Sequence, residues 1–138
     1  MLLGFKANEK KLVDTLISSM SLKGKVIVAP YLSKSDVIGL LQKCVLMIVP
    51  SNNEGYGIPV LEGLVHSDAT VCSDIPIFRE IADGHVHFFD LTDPMSLSKT
   101  IDDFVYKGPV KLDKFDYETY KLDVKKQREV IWERLNEL

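Results

Sequence analysis

Residues Asn52-Asn53-Glu54-Gly55-Tyr56-Gly57-Ile58-Pro59-Val60-Leu61-Glu62 follow an unbroken apolar run, Val45-Leu46-Met47-Ile48-Val49, and this junction decides the fold. Such a run is what a strand buried on both faces of a parallel sheet looks like, and Pro50-Ser51 should end it. Two glycines then flank Tyr56, Pro59 stands where a first helical residue would lie, and Val60, Leu61, Leu64 and Val65 continue at helical spacing. The reading is a strand, a glycine loop and a helix start. Glycines let the backbone approach a ligand closely. The first turn of a helix points unpaired N–H groups and a partial positive charge back at the loop, so a phosphate can sit there. Glu54 and Glu62 flank that place.

On either side of this junction the chain alternates short apolar runs with amphipathic ones. Leu2-Leu3-Gly4-Phe5 reads as a strand, and Asn8 as the cap of a helix with Leu12, Leu16, Ile17 and Met20 on its buried side. Val26-Ile27-Val28-Ala29 is the next strand, and Ser33 or Ser35 opens a helix carrying Val37, Ile38, Leu40 and Leu41. Beyond the central helix, Ala69 to Cys72 is a strand, Pro76 to Ala82 a short helix and His87 to Phe89 a last short strand. Asp93-Pro94 starts a helix reaching Tyr106, with Leu97, Ile101, Phe104 and Val105 inward. This order predicts an α/β fold built on a right-handed, doubly wound parallel sheet, with ligands off the carboxyl ends of its strands. Residues 107–116 read as a linker. From Tyr117 to Leu138 there is no glycine or proline, and Tyr117, Tyr120, Val124, Ile131, Leu135 and Leu138 form one stripe of a long helix, with Val130 and Trp132 beside it.

A chain of 138 residues, 46% hydrophobic and 27% charged, has material for a single core. The sequence shows no run of apolar residues that would span a membrane and no basic, apolar leader, so a cytoplasmic protein is expected. A net charge of −3 argues against general nucleic-acid binding. Cys44 and Cys72 lie at or within apolar segments and read as reduced core residues rather than a disulfide or metal pair. His66, His85 and His87 lack metal-ligand spacing and read as structural.

The eleven-residue stretch resembles the signature of the retaining glycosyltransferases of group 1, family 4, which have the GT-B architecture of two Rossmann-like domains. The likeness continues in order through Thr70-Val71-Cys72-Ser73-Asp74-Ile75-Pro76, Arg79-Glu80-Ile81-Ala82, Phe89-Asp90 and Asp93-Pro94, covering about Leu2 to Tyr106. It implies a nucleotide-sugar-binding, Rossmann-like domain over residues 1–106, the C-terminal half of a GT-B fold with three layers and its first strand missing. Residues 117–138 would be the helix that in the family crosses back to the other domain; a helix packed along its own domain fits the stripe equally. A nucleoside diphosphate sugar is the implied donor, with no cofactor and no metal. Glu54 would lie by the sugar, where its charge can stabilise positive character at the transferring centre. Glu62 would accept hydrogen bonds from the ribose hydroxyls, and Gly55, Tyr56, Gly57, Ile58, Pro59, Val60 and Leu61 would form the rest of the donor site.

Several residues also have a plain reading. Glu62 in a first helical turn is favoured by the helix dipole alone, Glu54 can be a solvated loop residue, and Gly55 and Gly57 can serve a tight turn. Tyr56 reads as a packing or stacking residue. Asp74, Arg79 and Glu80 can form a surface ion pair and a helix start. The sequence departs from the family where Ser67, Asp68 and Ala69 replace a glycine and proline before the strand at Thr70. The family's arginine and lysine after its first strand, and its acceptor-holding N-terminal domain, have no counterpart in this sequence. The expected partners are therefore that domain or a second subunit, a location peripheral to the inner face of a membrane through such a partner, or a homo-oligomer through the last helix. Two functions follow: the donor-binding part of a hexosyltransferase acting on a glycan or lipid-linked acceptor, inactive by itself, or a non-catalytic nucleotide-binding or interaction module.

Overall fold

The computed structural model describes residues 7–21, 23–107 and 115–136; for residues 7, 8, 127, 128 and 130–136 it describes the backbone alone. The chain forms two compact units, Met1–Leu40 and Leu41–Leu138. The expected strand at Leu2-Phe5 and most of the 107–116 linker lie outside the described residues.

In the first unit, helix α1 runs over Ala7–Ser19. The backbone of Asn8, the residue read as its cap, is already helical, a boundary shift of the usual size. The stripe expected to be buried is mostly exposed: Leu12, Leu16 and Met20 face solvent, while Ile17 is half-buried. Residues 26–29 do not form a strand either; Val28 alone makes a bridge, and strand composition does not by itself build a ladder. Helix α2, Lys34–Leu41, begins as read, and its last residue opens the second unit. The Ser33 hydroxyl accepts the Asp36 N–H at 3.2 Å and donates to the Asp36 carboxylate at 2.6 Å, which makes Ser33 the cap.

The second unit holds a parallel sheet of β1 (Met47–Val49), β2 (Thr70–Ser73) and β3 (His87–Phe89) in the order β1-β2-β3. The register pairs Val49 with Cys72 and Ser73 with Phe89. Helices α3 (Ile58–His66) and α4 (Pro76–Ala82) form the crossovers, α5 (Pro94–Lys107) packs on β3, and α6 spans Tyr117–Asn136. Right-handed crossovers stepping in one direction put α3 and α4 on one face, and the two helices touch. This is an α/β, Rossmann-like sheet. No helix among the described residues is long and apolar enough to cross a membrane.

The strand expected at Val45 starts two residues later. Cys44 N–H bonds Leu41 O and Asp68 N–H bonds Cys44 O, so the chain is still turning and Val45 is exposed; the first ladder bond is Met47 N–H to Ala69 O, 2.9 Å. Nor is β1 the strand buried on both faces. It lies at the edge of this ladder with Ile48 38% exposed, whereas all four residues of central β2 are buried. The core gathers Val49, Val60, Cys72, Phe78, Ala82 and Val86, with Met47, Leu64 and Ile81 packed on it. Gly63 lets α3 sit close on the sheet, for a Cβ there would lie 2.5 Å from Thr70 Oγ1 and 2.9 Å from Met47 Sδ. Where the family's glycine and proline are replaced, Ser67 ends α3. Its N–H bonds Gly63 O at 2.9 Å, and its hydroxyl lies 2.7 Å from Gly63 O and 3.0 Å from Ala69 O. On α5, Leu97, Ile101 and Phe104 are half-buried as expected, but Val105 is 64% exposed because it lies to the side of that stripe. Asp93 caps α5 by accepting the Met95 N–H at 2.9 Å.

Candidate functional site

The residues between β1 and α3 leave the sheet at its carboxyl edge, where loops after parallel strands leave room for a ligand. The start of this loop is held from β2. Ser73 is fully buried at the strand's end, and its hydroxyl donates to the carbonyl oxygen of Ser51. The Ser51 hydroxyl in turn donates to Glu54 Oε1 at 2.8 Å and leaves Glu54 half-buried. That bond fixes the carboxylate's position while its second oxygen keeps its acceptor capacity.

The end of the loop is held by packing. Gly57 adopts φ +76°, a left-handed conformation that disfavours any side chain, and a Cβ there would lie 2.6 Å from Ile81 Cδ1 and 3.3 Å from two carbons of the Phe78 ring. Its carbonyl accepts the amides of Val60 at 3.0 Å and Leu61 at 3.2 Å, which start α3. Pro59 occupies the first turn, where a missing N–H costs no bond. The Ile58 amide therefore precedes the first intrahelical donor and points toward the loop.

The nine residues singled out from sequence divide into three groups in the fold. Glu54, Gly55, Tyr56 and Ile58 line the open side: Gly55 meets nothing within 4 Å of where a Cβ would be, and Tyr56 and Ile58 are 46% and 57% exposed. Gly57, Val60 and Leu61 are buried, and Val60 belongs to the core. Pro59 and Glu62 are half-buried on α3. Glu62 falls in the second turn of the helix rather than the first, because α3 begins at Ile58; the dipole argument for its placement weakens accordingly.

Two features of the surroundings were not singled out as site features. Tyr120, in the first turns of α6, donates its hydroxyl to that of Tyr56 at 3.1 Å. An open groove of about 320 Å³ runs beside this contact, lined by Tyr56, Leu61, Tyr117, Tyr120, Lys121, Val124 and Lys125. The helical stripe contained Tyr117 and Tyr120 without indicating which loop they would meet. Asp116 caps α6 by accepting the amides of Glu118 and Thr119, each at 3.1 Å.

Beyond β2, Arg79 of α4 grips Asp74 of the preceding loop with two bonds, Nε to Oδ1 at 2.7 Å and Nη2 to Oδ2 at 2.8 Å. Arg79 also reaches Asp83 at 3.1 Å and lies 3.9 Å over the Phe88 ring. The guanidinium holds the Asp74 carboxyl below its ordinary range and its own pKa is raised in return. With its donors engaged, Arg79 is an ion-pair residue, as the plain reading had it. Cys44 and Cys72 are free thiols, and burial pushes the Cys72 pKa up to about 12.

The sequence model of the family described as glycosyl transferases group 1 matches residues 2–122. Among curated proteins, the chain is 26% identical over 98 residues to the serotype-specific mannosyltransferase WbdA of Escherichia coli, covering 71% of this chain and 12% of that protein. It is 27% identical over 89 residues to the O-antigen chain mannosyltransferase RfbU of Salmonella typhimurium, covering 64% and 25%. It is 28% identical over 93 residues to the O-antigen biosynthesis glycosyltransferase WclY of Escherichia coli, covering 67% and 26%. The chain thus spans about an eighth to a quarter of the length of these relatives. With the parallel sheet, the glycine loop at its carboxyl edge and a match over most of its length, this chain belongs to the group 1 glycosyl transferases.

Proposed function

We propose that this chain is the donor-binding part of a hexosyltransferase with GT-B architecture, which moves a sugar with retention from a nucleoside diphosphate sugar to a glycan or lipid-linked acceptor. The relatives named as mannosyltransferases favour mannose as that sugar. The observation that carries the reading is the loop from Ser51 to Gly57, pinned at both ends and open in its middle at Gly55, running into the start of α3. In this reading the diphosphate lies over Gly55 and the Ile58 amide, where backbone donors and the helix dipole stabilise negative charge without a metal. Glu62 accepts the two ribose hydroxyls, chemistry that a carboxylate with two oxygens suits. Glu54, held by Ser51, faces the sugar and stabilises positive character as the bond to the leaving diphosphate breaks. Tyr56 stacks beside the donor, and Gly57, Pro59, Val60 and Leu61 set the loop's shape from beneath. The acceptor is supplied by an N-terminal domain or a second subunit, through which the protein would sit at the inner face of a membrane.

The ribose contact is made equally in ground and transition states, whereas a contact by the sugar matters mostly during transfer. Nucleoside diphosphate affinity should therefore depend on Glu62 far more than on Glu54. Losing a charged hydrogen-bond partner costs roughly 1.5–3 kcal/mol, about 10- to 100-fold in affinity. Calorimetric titration of nucleoside diphosphates into wild type, Glu62→Ala and Glu54→Ala reads this directly. Equal affinities for wild type and Glu62→Ala would remove Glu62 from the site. Absence of binding to wild type would remove the donor-site reading itself.

A further inference from the structure

We propose that Tyr120 is a positioning residue: by holding Tyr56 it fixes the middle of the donor loop, so that α6 forms part of the site's geometry. The inference rests on the donor-site reading for its functional consequence, but its structural content stands on three anchors.

The first anchor is the Ser73–Ser51–Glu54 chain of hydrogen bonds at the start of the loop. The second is Gly57, locked by its left-handed backbone and by Ile81 and Phe78 beneath it. Between them lie Gly55, with open space around it, and Tyr56, about half exposed. Among the described hydrogen bonds, the one that reaches this middle segment is Tyr120 O–H to Tyr56 Oη at 3.1 Å, joining residues 64 apart in sequence. Without it, Gly55 and Tyr56 are tethered at their ends alone, and a glycine is the least restrained residue to leave there.

Tyr120 is itself well placed to act as an anchor. Asp116 caps the helix that carries it, and its ring packs on Phe115 at 5.6 Å and beside Tyr117 at 6.5 Å between centroids. Burial, then the bond to Tyr56 and the nearby charge of Glu80, raise its pKa, so the hydroxyl keeps the proton it donates. A loop held in one conformation before the ligand arrives spares the ordering cost on binding, which is how a residue that never touches the donor can change its affinity. Linkage makes the effect reciprocal: a donor that orders Tyr56 should also protect the first turns of α6.

The test is amide hydrogen exchange on the full chain, comparing wild type, Tyr120→Phe, Tyr56→Phe and the double variant, together with titration of guanosine, uridine and adenosine diphosphates. Phenylalanine keeps both rings and removes the bond. Exchange across residues 52–58 should rise about fivefold in each single variant, the size that one uncharged hydrogen bond carries. The double variant should go no further, and β2 should not change. The Kd of whichever diphosphate wild type binds should rise about as much. Unchanged loop exchange in Tyr120→Phe would overturn the proposal, and so would an equal rise in β2, the mark of a merely structural residue. A loop that responds while wild type binds none of the three diphosphates supports the clasp and refutes the donor-site reading instead.

Discussion

Replacing Gly57 by alanine isolates the residue on which the loop turns into the helix. At φ +76° an alanine carries the left-handed penalty, roughly 1–2 kcal/mol for an L-residue. Its Cβ would also lie 2.6 Å from Ile81 Cδ1 and 3.3 Å from the Phe78 ring. Ile81 is half-buried and presents the end of a flexible side chain, so it can swing aside, whereas Phe78 is fully buried and cannot. Overpacking of a core costs about 1–3 kcal/mol, and with Ile81 yielding the lower part of that range applies. The sum is about 2–4 kcal/mol, a large share of the 5–15 kcal/mol that ordinarily holds a domain together. Gly55→Ala is the internal control. It has no left-handed backbone and open space around it, so its stability should stay within about 0.5 kcal/mol or rise slightly as the unfolded chain loses freedom. Urea unfolding followed by far-ultraviolet circular dichroism separates the two, since a slope of about 1–3 kcal/mol per molar turns the Gly57 loss into a midpoint shift of roughly 0.7–4 M. Coincident midpoints for wild type and Gly57→Ala would refute the reasoning, as would an equal loss in Gly55→Ala.

Under native conditions at pH 8, iodoacetamide should label Cys44 and spare Cys72, whose thiol is buried and holds its proton up to about pH 12; intact mass should show one adduct, and two after unfolding. The same raised pKa means that the folded state binds this proton more tightly than the unfolded chain does. The Cys72 contribution to stability should be complete below about pH 9 and fall from there toward pH 12, a decline that Cys72→Ala removes. Asp74 has the opposite sign. Arg79 depresses its pKa, so its stabilisation is complete above the ordinary aspartate value of about 3.9 and lost as pH falls through the folded value. Asp74→Asn should therefore be less stable than wild type at pH 7, by under about 1 kcal/mol because the pair is solvent-screened, and should converge with it in acid; a constant gap down to pH 2 would count against the ion pair.

Elements whose stabilising partners lie close in sequence were legible. A serine cap at Ser33 or Ser35, the proline starts of α3 and α4, and the short β3 each follow from local chemistry; the structure selects Ser33, and α4 and β3 have the bounds that the residues predict. Misreadings occurred where an apolar pattern needed a distant partner. Val26 to Ala29 has strand composition, yet a single bridge forms at Val28; Leu12, Leu16 and Met20 have helical spacing, yet face solvent. Periodicity says which residues share a face and nothing about what covers it. The edge position of β1, where a strand buried on both faces is expected, has the same origin. Both are apolar runs, and only the sheet order places β2 at the centre.

The candidate site divides along the same line. That Gly55-Tyr56-Gly57 forms a loop before a helix is written in its glycines and in Pro59. The positions of Glu54 and Tyr56 within that loop depend instead on register and on the return of the chain. With Val49 opposite Cys72, the next residue of β2, Ser73, comes alongside Pro50 and can reach the carbonyl of Ser51. A slip by one residue would turn the Ser73 side chain to the other face of the sheet and release Ser51, and Ser51 is what holds Glu54. Tyr56 depends likewise on the Asp116 cap. Starting α6 at Tyr117 places Tyr117 and Tyr120 three residues apart on one helical face, and Tyr120 then meets the loop. A buried serine at the carboxyl end of a central strand, and a capped helix opening on paired tyrosines, are therefore the signals by which anchors of this loop can be sought in other sequences of the family.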